Sequence, residues 1–388
     1  MVLLDQSLVD HHRESWTLLT KTTVPTDSFA LLMILFFLDM PAGDTPFLRG
    51  LAEIDWLGAV TMAGATVMTL LGLQLGGISY AWNSATVVCL LVFGVITFAL
   101  FFTAQFKYSR SPIMPFRIFS HISNLSALAV CFFDAFVFNA VAYFVPLYFQ
   151  TVLSASPLNS GIWMLALAIP LSIFSASAGW IMEKTGRYLE LLRAGLVFMT
   201  IGVGLFINFQ SYISWPRIIV FLMIVGIGFG PNFHAPLIAL QTRLAPRDVA
   251  AGTSTFGFIR MISGAMGVVL GQVLFQSQMQ LHIKGFVRAG LPHDVIASLA
   301  SGSAISTTTM PTNLTPSQYL LIKDAKSQSF SRMWILYTIM SFLGLVASMG
   351  ISRQVLTTTN ETYKPGIGLS SVTESDTQEK KSPRIEQV

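Results

Sequence analysis

Two charged residues stand alone in long apolar surroundings, which makes them the first candidates for chemistry. Asp134 and Arg260 each fall roughly ten residues inside an apolar run, about 15 Å along a helix. An unpaired charge at the centre of a bilayer costs about 2.5–3.5 kcal/mol to insert. Each should therefore face a partner or a watered cavity. Arg260 lies in a line with Gly257, Gly264, Gly267 and Gly271, spaced by threes and fours. Such a face of small residues lets another helix approach closely. The expectation is an ion pair between Asp134 and Arg260, or a polar cavity that both share. Either would serve transport or brace the fold.

A second polar line runs through Asn139, Tyr143, Pro146 and Gln150 at i, i+4, i+7 and i+11. These share one helix face, and Asp134 sits about 140° away from Asn139 around the axis. The line suits a pathway wall, or amides and a phenol that satisfy nearby backbone. Further on come Gly226, Gly228, Gly230, Pro231, Asn232, His234, Pro236 and Gln241. Three glycines and two prolines should weaken or break a helix. Irregular backbone at membrane depth is tolerated where protein or a watered cavity surrounds it, and transporter sites are often built from interrupted helices. Asn232, His234 and Gln241 are thus candidate substrate contacts. His234 is either a proton acceptor near neutral pH or a neutral, hydrogen-bonded helix residue. A turn at Gly179, Glu183, Lys184, Gly186 and Arg187 joins two runs, with Arg187 placed to cap carbonyls at a helix end. Ala168, Ser172, Ser175 and Gly179 form a small-residue face leading into that turn.

The elements carrying these residues are membrane spans. Hydrophobic residues make up 53% of the 388, and charged residues only 11%, against about 25% in soluble domains. The 51 residues between Asp55 and Lys107 hold no Asp, Glu, Lys or Arg, nor do the 48 between Asp134 and Glu183. A span needs about 20 apolar residues, so each run holds two. Eight spans are expected near 56–76, 86–106, 124–150, 161–182, 191–209, 218–242, 252–275 and 333–351. A ninth run, 29–38, covers only about 15 Å. Residues 1–27 read as a disordered polar leader, 28–40 as a short apolar stub and 41–106 as a helix pair. Residues 107–352 read as a six-helix bundle with an external loop at 277–331, and 353–388 as a disordered cytoplasmic tail.

Short loops holding Arg49, Lys107, Arg110, Arg117, Lys184, Arg187, Arg193, Arg243 and Arg247 alternate with loops holding only Arg217. Positive charge collects on the cytoplasmic side, so the first set is assigned there. Asn313 opens an Asn-Leu-Thr acceptor pattern on the outer side, a glycosylation candidate. The charge of +4 is modest and sits in loops, which suits a membrane surface and excludes a nucleic-acid stripe. Cys89 and Cys131 fall in apolar runs, where free, buried thiols are expected. There is no phosphate-cradling loop, paired metal histidine or nucleophile elbow. An enzyme, a cofactor and a metal are therefore not expected.

The stretches Tyr143–Gln150, Ala155–Gly161, Gly228–Gln241 and Thr255–Arg260 resemble the fungal-type fourteen-span drug:proton antiporter branch of the major facilitator superfamily. The opening Ile54-Asp55-Trp56-Leu57-Gly58 is similar to the start of that family's two extra central helices. The Gly179–Arg187 turn resembles its cytoplasmic loop motif, with Glu183 nearest the usual Asp. The resemblance implies the C-terminal part of a major facilitator fold, all α-helical, with the stub as the end of a sixth helix and the first five helices missing. It implies proton-coupled export of small amphipathic organic compounds of the drug or toxin type. The partners would be a small-molecule substrate, protons and the lipid bilayer, and the plasma or vacuolar membrane the site. Asp134, Asn139, Tyr143, Gln150, Asn232, His234, Gln241 and Arg260 would line the substrate and proton pathway. With the first half missing, a second reading is a non-transporting half-transporter that acts as a membrane interaction or sensor protein, through a dimer or a separate N-terminal half.

Overall fold

The computed structural model describes residues 24–25, 27–36, 55–76, 80–107, 116–245, 248–300 and 314–353. The expectations for Asn313 and the tail fall outside them, as does that for the leader except at 24–25 and 27, which are helical. By its contacts the chain divides into Met1–Ile54 and Asp55–Val388. The first unit contributes a short apolar helix, α1 (Asp27–Phe36). All else described here belongs to the second unit.

That unit is built from α2 (Trp56–Leu75), α3 (Ala85–Lys107), α4 (Ile122–Thr151), α5 (Pro157–Thr185) and α6 (Tyr188–Leu205). It continues through α7 (Trp215–Asn232), a short α8 (Ala235–Gln241), α9 (Val249–Arg288), α10 (His293–Ala300) and α11 (Pro316–Ser348). Eight membrane-crossing helices result among the described residues, α7 and α8 together counting as one. The expected all-α, multi-pass architecture is present.

Local chemistry sets the helix ends. Asp55 accepts from the Gly58 N–H at 2.8 Å and starts α2. Ser156 caps α5, with Pro157 following where its missing N–H costs nothing. Gly186 ends α5 at φ 67°, a left-handed conformation that suits glycine. Thr315 and Gln318 form a reciprocal capping box at the start of α11.

Helices α2 and α3 pair as a hairpin whose partner is α9. The other spans form a six-helix bundle around α4, where Val130, Val137, Ala140, Phe144, Val145 and Phe149 are fully buried. Close approach, rather than apolar attraction, holds such helices together in lipid. A Cβ on Gly267 would collide with the Phe136 carbonyl of α4, and one on Gly264 with the Asn139 amide. Gly271 is closed off by Phe144 and the Tyr337 hydroxyl. The Ser263 hydroxyl donates to the Phe132 carbonyl, and Tyr337 donates to the Gly267 carbonyl at 2.7 Å. Thus α9, α4 and α11 are pinned together along the expected glycine line. Gly257 is the exception, with nothing within 4 Å of its position.

Three expectations are corrected. The segment 277–331 is not a plain loop: α9 runs 40 residues, about 60 Å, and α10 and the first turns of α11 follow. Phe286, Leu291, Leu299 and Ile322 are buried there. A helix that has found packing partners does not stop where its apolar character stops. Cys89 is exposed rather than buried, because α3 is covered on one side only. The small-residue face of α5 is not packed: Ala168 and Ser172 are exposed, and nothing lies within 4 Å of Gly179.

The two kinds of glycine on α9 separate in a stability measurement. Gly267→Ala overpacks the seam and should cost about 1–3 kcal/mol. Gly257→Ala meets open space and should be neutral or gain up to about 1 kcal/mol of helix propensity. Thermal unfolding in detergent reads the difference, and equal effects would contradict the seam.

Candidate functional site

The glycine run of α7 is a packing device. Gly226 and Gly230, one turn apart, lie against α5: an added Cβ would sit 2.5 Å from the Leu167 carbonyl and 2.7 Å from Phe174 Cβ. Gly228 points the other way, into Met199 of α6. So α7 is wedged between α5 and α6 with two glycine faces. The expectation that Gly226, Gly228, Gly230 and Pro231 break the helix is corrected, since α7 stays helical through all four. The break comes at Phe233–His234, ahead of Pro236. Pro236 has no N–H to offer the Asn232 carbonyl, and its ring crowds that carbonyl. The Leu237 N–H turns back to His234 at 3.1 Å, so it does not reach the Phe233 carbonyl.

Arg260 takes that carbonyl. Its Nη1 donates to Phe233 O at 3.2 Å, while its guanidinium carbon lies 3.9 Å from the centre of the Phe233 ring. One cation thus grips one residue twice. The ring also meets Phe138 of α4 edge-on at 6.0 Å, and Phe138 meets Phe229 at 5.1 Å. Phe233 therefore joins α4, α7 and α9 at the break.

Asp134 lies one turn from Phe138 on the same face of α4. It is 5% exposed, and its Oδ1 has no hydrogen-bond partner. One turn the other way, the Cys131 thiol faces the Phe256 carbonyl at 3.7 Å, and Phe256 precedes Arg260 by one turn. The carboxyl is bracketed by Phe138 and Cys131, whose contacts Phe233 and Phe256 both lie beside Arg260. Asp134 and Arg260 do not meet: among the described residues no ion pair joins them, which corrects the direct-pair expectation. Arg260 is drawn to the freed carbonyl and the ring instead.

The remaining sequence-predicted residues divide by position. Asn139 is pinned in the α4–α9 seam, its amide donating to the Ala135 carbonyl at 3.0 Å. Tyr143 is 45% exposed. Gln150 meets Ser160 at 3.4 Å, and Ser160 donates to the Pro146 carbonyl at 3.1 Å. Gln150 thus ties α4 to α5 at one end. Gln241 ties α8 to Thr253 of α9 at 3.0 Å at the other end. Asn232 is buried between α6 and α7 with both amide atoms unpartnered. His234 is exposed at the break. In the α5–α6 turn Lys184 lies over the Trp180 ring at 4.1 Å, and Glu183 is exposed. Arg187 does not cap α5. The chain has already reversed at Gly186, and Arg187 precedes α6 without a side-chain cap bond.

The sequence reading missed Phe233, Phe138 and Cys131. Phe233 carried a partial signal, because Pro236 frees the Asn232 carbonyl four residues before it and Phe233 is the next residue along the disturbed turn.

The description "Major Facilitator Superfamily" matches residues 53–268, more than half of the chain. The efflux pump dotC of Dothistroma septosporum is 40% identical over 353 residues, 91% of this chain and 60% of its own length. The MFS-type transporter ppz2 of Metarhizium majus is 40% identical over 342 residues, 88% of this chain and 59% of its own. The chain thus spans about three-fifths of the length of the curated relatives it matches. A bacterial homologue of the human lysosomal transporter Spinster aligns at TM-score 0.44 and 15% identity, over 79% of this chain and 71% of its own. That likeness is too loose to place any side chain. The family and these relatives are transporters, not enzymes.

The Arg260 grip has a measurable cost of removal. Arg260→Ala orphans the Phe233 carbonyl, and the loss of a hydrogen bond from a charged donor should destabilise by about 1.5–3 kcal/mol. At a pH high enough to ionise Asp134, it also leaves a buried carboxylate without a counter-charge. Adding Asp134→Asn to Arg260→Ala should therefore recover part of the loss. Additive effects in thermal unfolding would show that the two residues are uncoupled.

Proposed function

Because the chain belongs to the major facilitator superfamily, we propose that it carries the second helix bundle of a proton-coupled exporter for small amphipathic organic compounds. The observation that carries this reading is Asp134. A carboxyl buried at mid-span, with an unpartnered oxygen and one cation acting on it, has the features of a proton-binding group. An intramembrane ionisable residue marks an ion or substrate pathway by default. The names of relatives, an efflux pump and an MFS-type transporter, support export of a small molecule.

In this reading Asp134 binds and releases the proton. Arg260 sets how readily it does so. The half-exposed Tyr143 and the exposed His234 are the polar groups offered to substrate. Asn139, Gln150 and Gln241 act as braces, holding α4 against α9, α4 against α5 and α8 against α9. The two helices α2 and α3 are the extra central pair, and the open small-residue face of α5, with Ala168, Ser172 and Gly179, receives a complementary bundle. Close approach is what such a face provides. The Lys and Arg count puts the α5–α6 turn on the cytoplasmic side.

Flux in proteoliposomes tests the proposal, with ethidium and rhodamine as amphipathic probes. An acidic lumen should drive probe uptake, and collapsing the gradient should stop it. Asp134→Asn should lower the gradient-driven rate by about tenfold or more, a coupling of ordinary size, while the protein stays folded. Gradient-driven uptake at the wild-type rate in Asp134→Asn would reject Asp134 as the proton site. Absence of uptake by the wild-type chain would favour the interaction or sensor reading.

A further inference from the structure

Arg260 holds Phe233 by its ring and its carbonyl at the place where α7 ends and α8 begins. That carbonyl is free because Pro236 interrupts the helical pattern and Leu237 bonds elsewhere. Asp134 lies a turn from Phe138, which touches the same ring. It keeps an unpartnered buried oxygen, and Arg260 spends its contacts on Phe233. A neutral carboxyl tolerates that arrangement. A buried carboxylate without a partner does not, and Arg260 is the cation within electrostatic reach.

We infer that Phe233 is a positioning residue: it is the seat that Arg260 occupies while Asp134 carries a proton, and Arg260 leaves it for Asp134 when the proton departs. The inference deepens the proton-coupled reading above. The Asp134 O–H bond breaks and its proton passes to water. The carboxylate then accepts from the Arg260 guanidinium, and the Phe233 carbonyl loses its donor. The α7–α8 break thereby loses its Arg260 tie. Protonation reverses each change. Proton binding in α4 thus becomes a change of bend between α7 and α8, a hinge at an element end.

The surrounding groups leave this exchange to Arg260. On α4, the Cys131 thiol is engaged with Phe256, and His121 and Arg117 precede the helix. On α11, Tyr337 is engaged with Gly267, while Lys323, Asp324, Lys326 and Arg332 fall in its first half. The charges of α5 and α7 are at their ends, Glu183, Lys184 and Arg217; His234 opens α8 exposed, Arg243 follows α8, and Glu190 and Arg193 lie in the first two turns of α6. On α9, His282, Lys284 and Arg288 sit far along the helix and Asp248 precedes it.

Hydrogen–deuterium exchange on the full chain in lipid nanodiscs reads the seat directly. Rates over residues 230–242 are corrected for the intrinsic effect of pH. In the wild type, corrected exchange should rise by about tenfold, as loss of one charge-assisted hydrogen bond implies. The rise should come as pH goes from about 5 to about 9, the range open to a buried carboxyl. Asp134→Asn should stay protected across the range. Arg260→Gln should be unprotected across it, and Arg260→Lys, which keeps the charge but not the planar grip, should fall between. A wild-type profile flat with pH, or an Asp134→Asn profile that still rises, overturns the inference. Exchange reads backbone opening and needs no substrate. A switch that works in a chain without proton-driven flux would reject the exporter reading alone, and flux without the switch would reject this inference alone.

Discussion

The α4–α9 seam is the constraint on which the rest of the bundle depends. Helices in lipid gain little from apolar burial, because the tails around them are equally apolar. They gain from contact, and contact at this seam is set by absent side chains. Gly264, Gly267 and Gly271 present bare backbone to Asn139, the Phe136 carbonyl and Phe144. That fixes the two helices in rotation and in register together. The register brings Cys131 to Phe256 and Ser263 to Phe132, and with them sets Asp134 at the level of Arg260. A polar site at mid-membrane is thus positioned by a packing rule, before any polar interaction contributes.

The same device recurs on α7 with a different outcome. Gly226 and Gly230 share one face, and Gly228 lies about 200° around the helix from Gly226. Two neighbours therefore close in on one span from different sides. The clamp covers the last turns of α7, and the chain places its break directly after it, past Asn232.

Much of this was legible in the sequence. The apolar runs gave the spans, and the steps of three and four gave the α9 face. The isolated charges drew attention to Asp134 and Arg260 because membrane insertion makes an isolated charge conspicuous. The failures have physical causes too. Glycines two apart read as a break, yet in a helix they serve two opposite neighbours, and which neighbours exist is a tertiary fact. Polarity read 277–331 as a loop, but α9 continues to Arg288 because Phe286 and Leu291 find cover beyond the membrane-length stretch. Gly257 fits the spacing rule and faces nothing, since periodicity gives a direction around a helix and not the presence of a partner. The pairing of Asp134 with Arg260 was the natural inference from charge alone. It omitted the Phe233 carbonyl left free at the break, a competitor invisible in any count of charges.

That competitor explains how an arginine can sit at this depth at all. A guanidinium in the membrane interior is costly, and so is a backbone carbonyl without a donor. Here each offsets the other's cost, and the Phe233 ring adds a cation–π contact of about 0.5–2 kcal/mol. Arg260 is therefore satisfied without Asp134, and Asp134 need not be ionised for the fold to hold. A permanent ion pair would lock the carboxyl in its charged form and bind α4 to α9 with no reason to part. A cation that already has a tolerable neutral seat leaves the carboxyl without a fixed partner. The helix break beside Arg260 then has a structural reason to lie at the same level as Asp134.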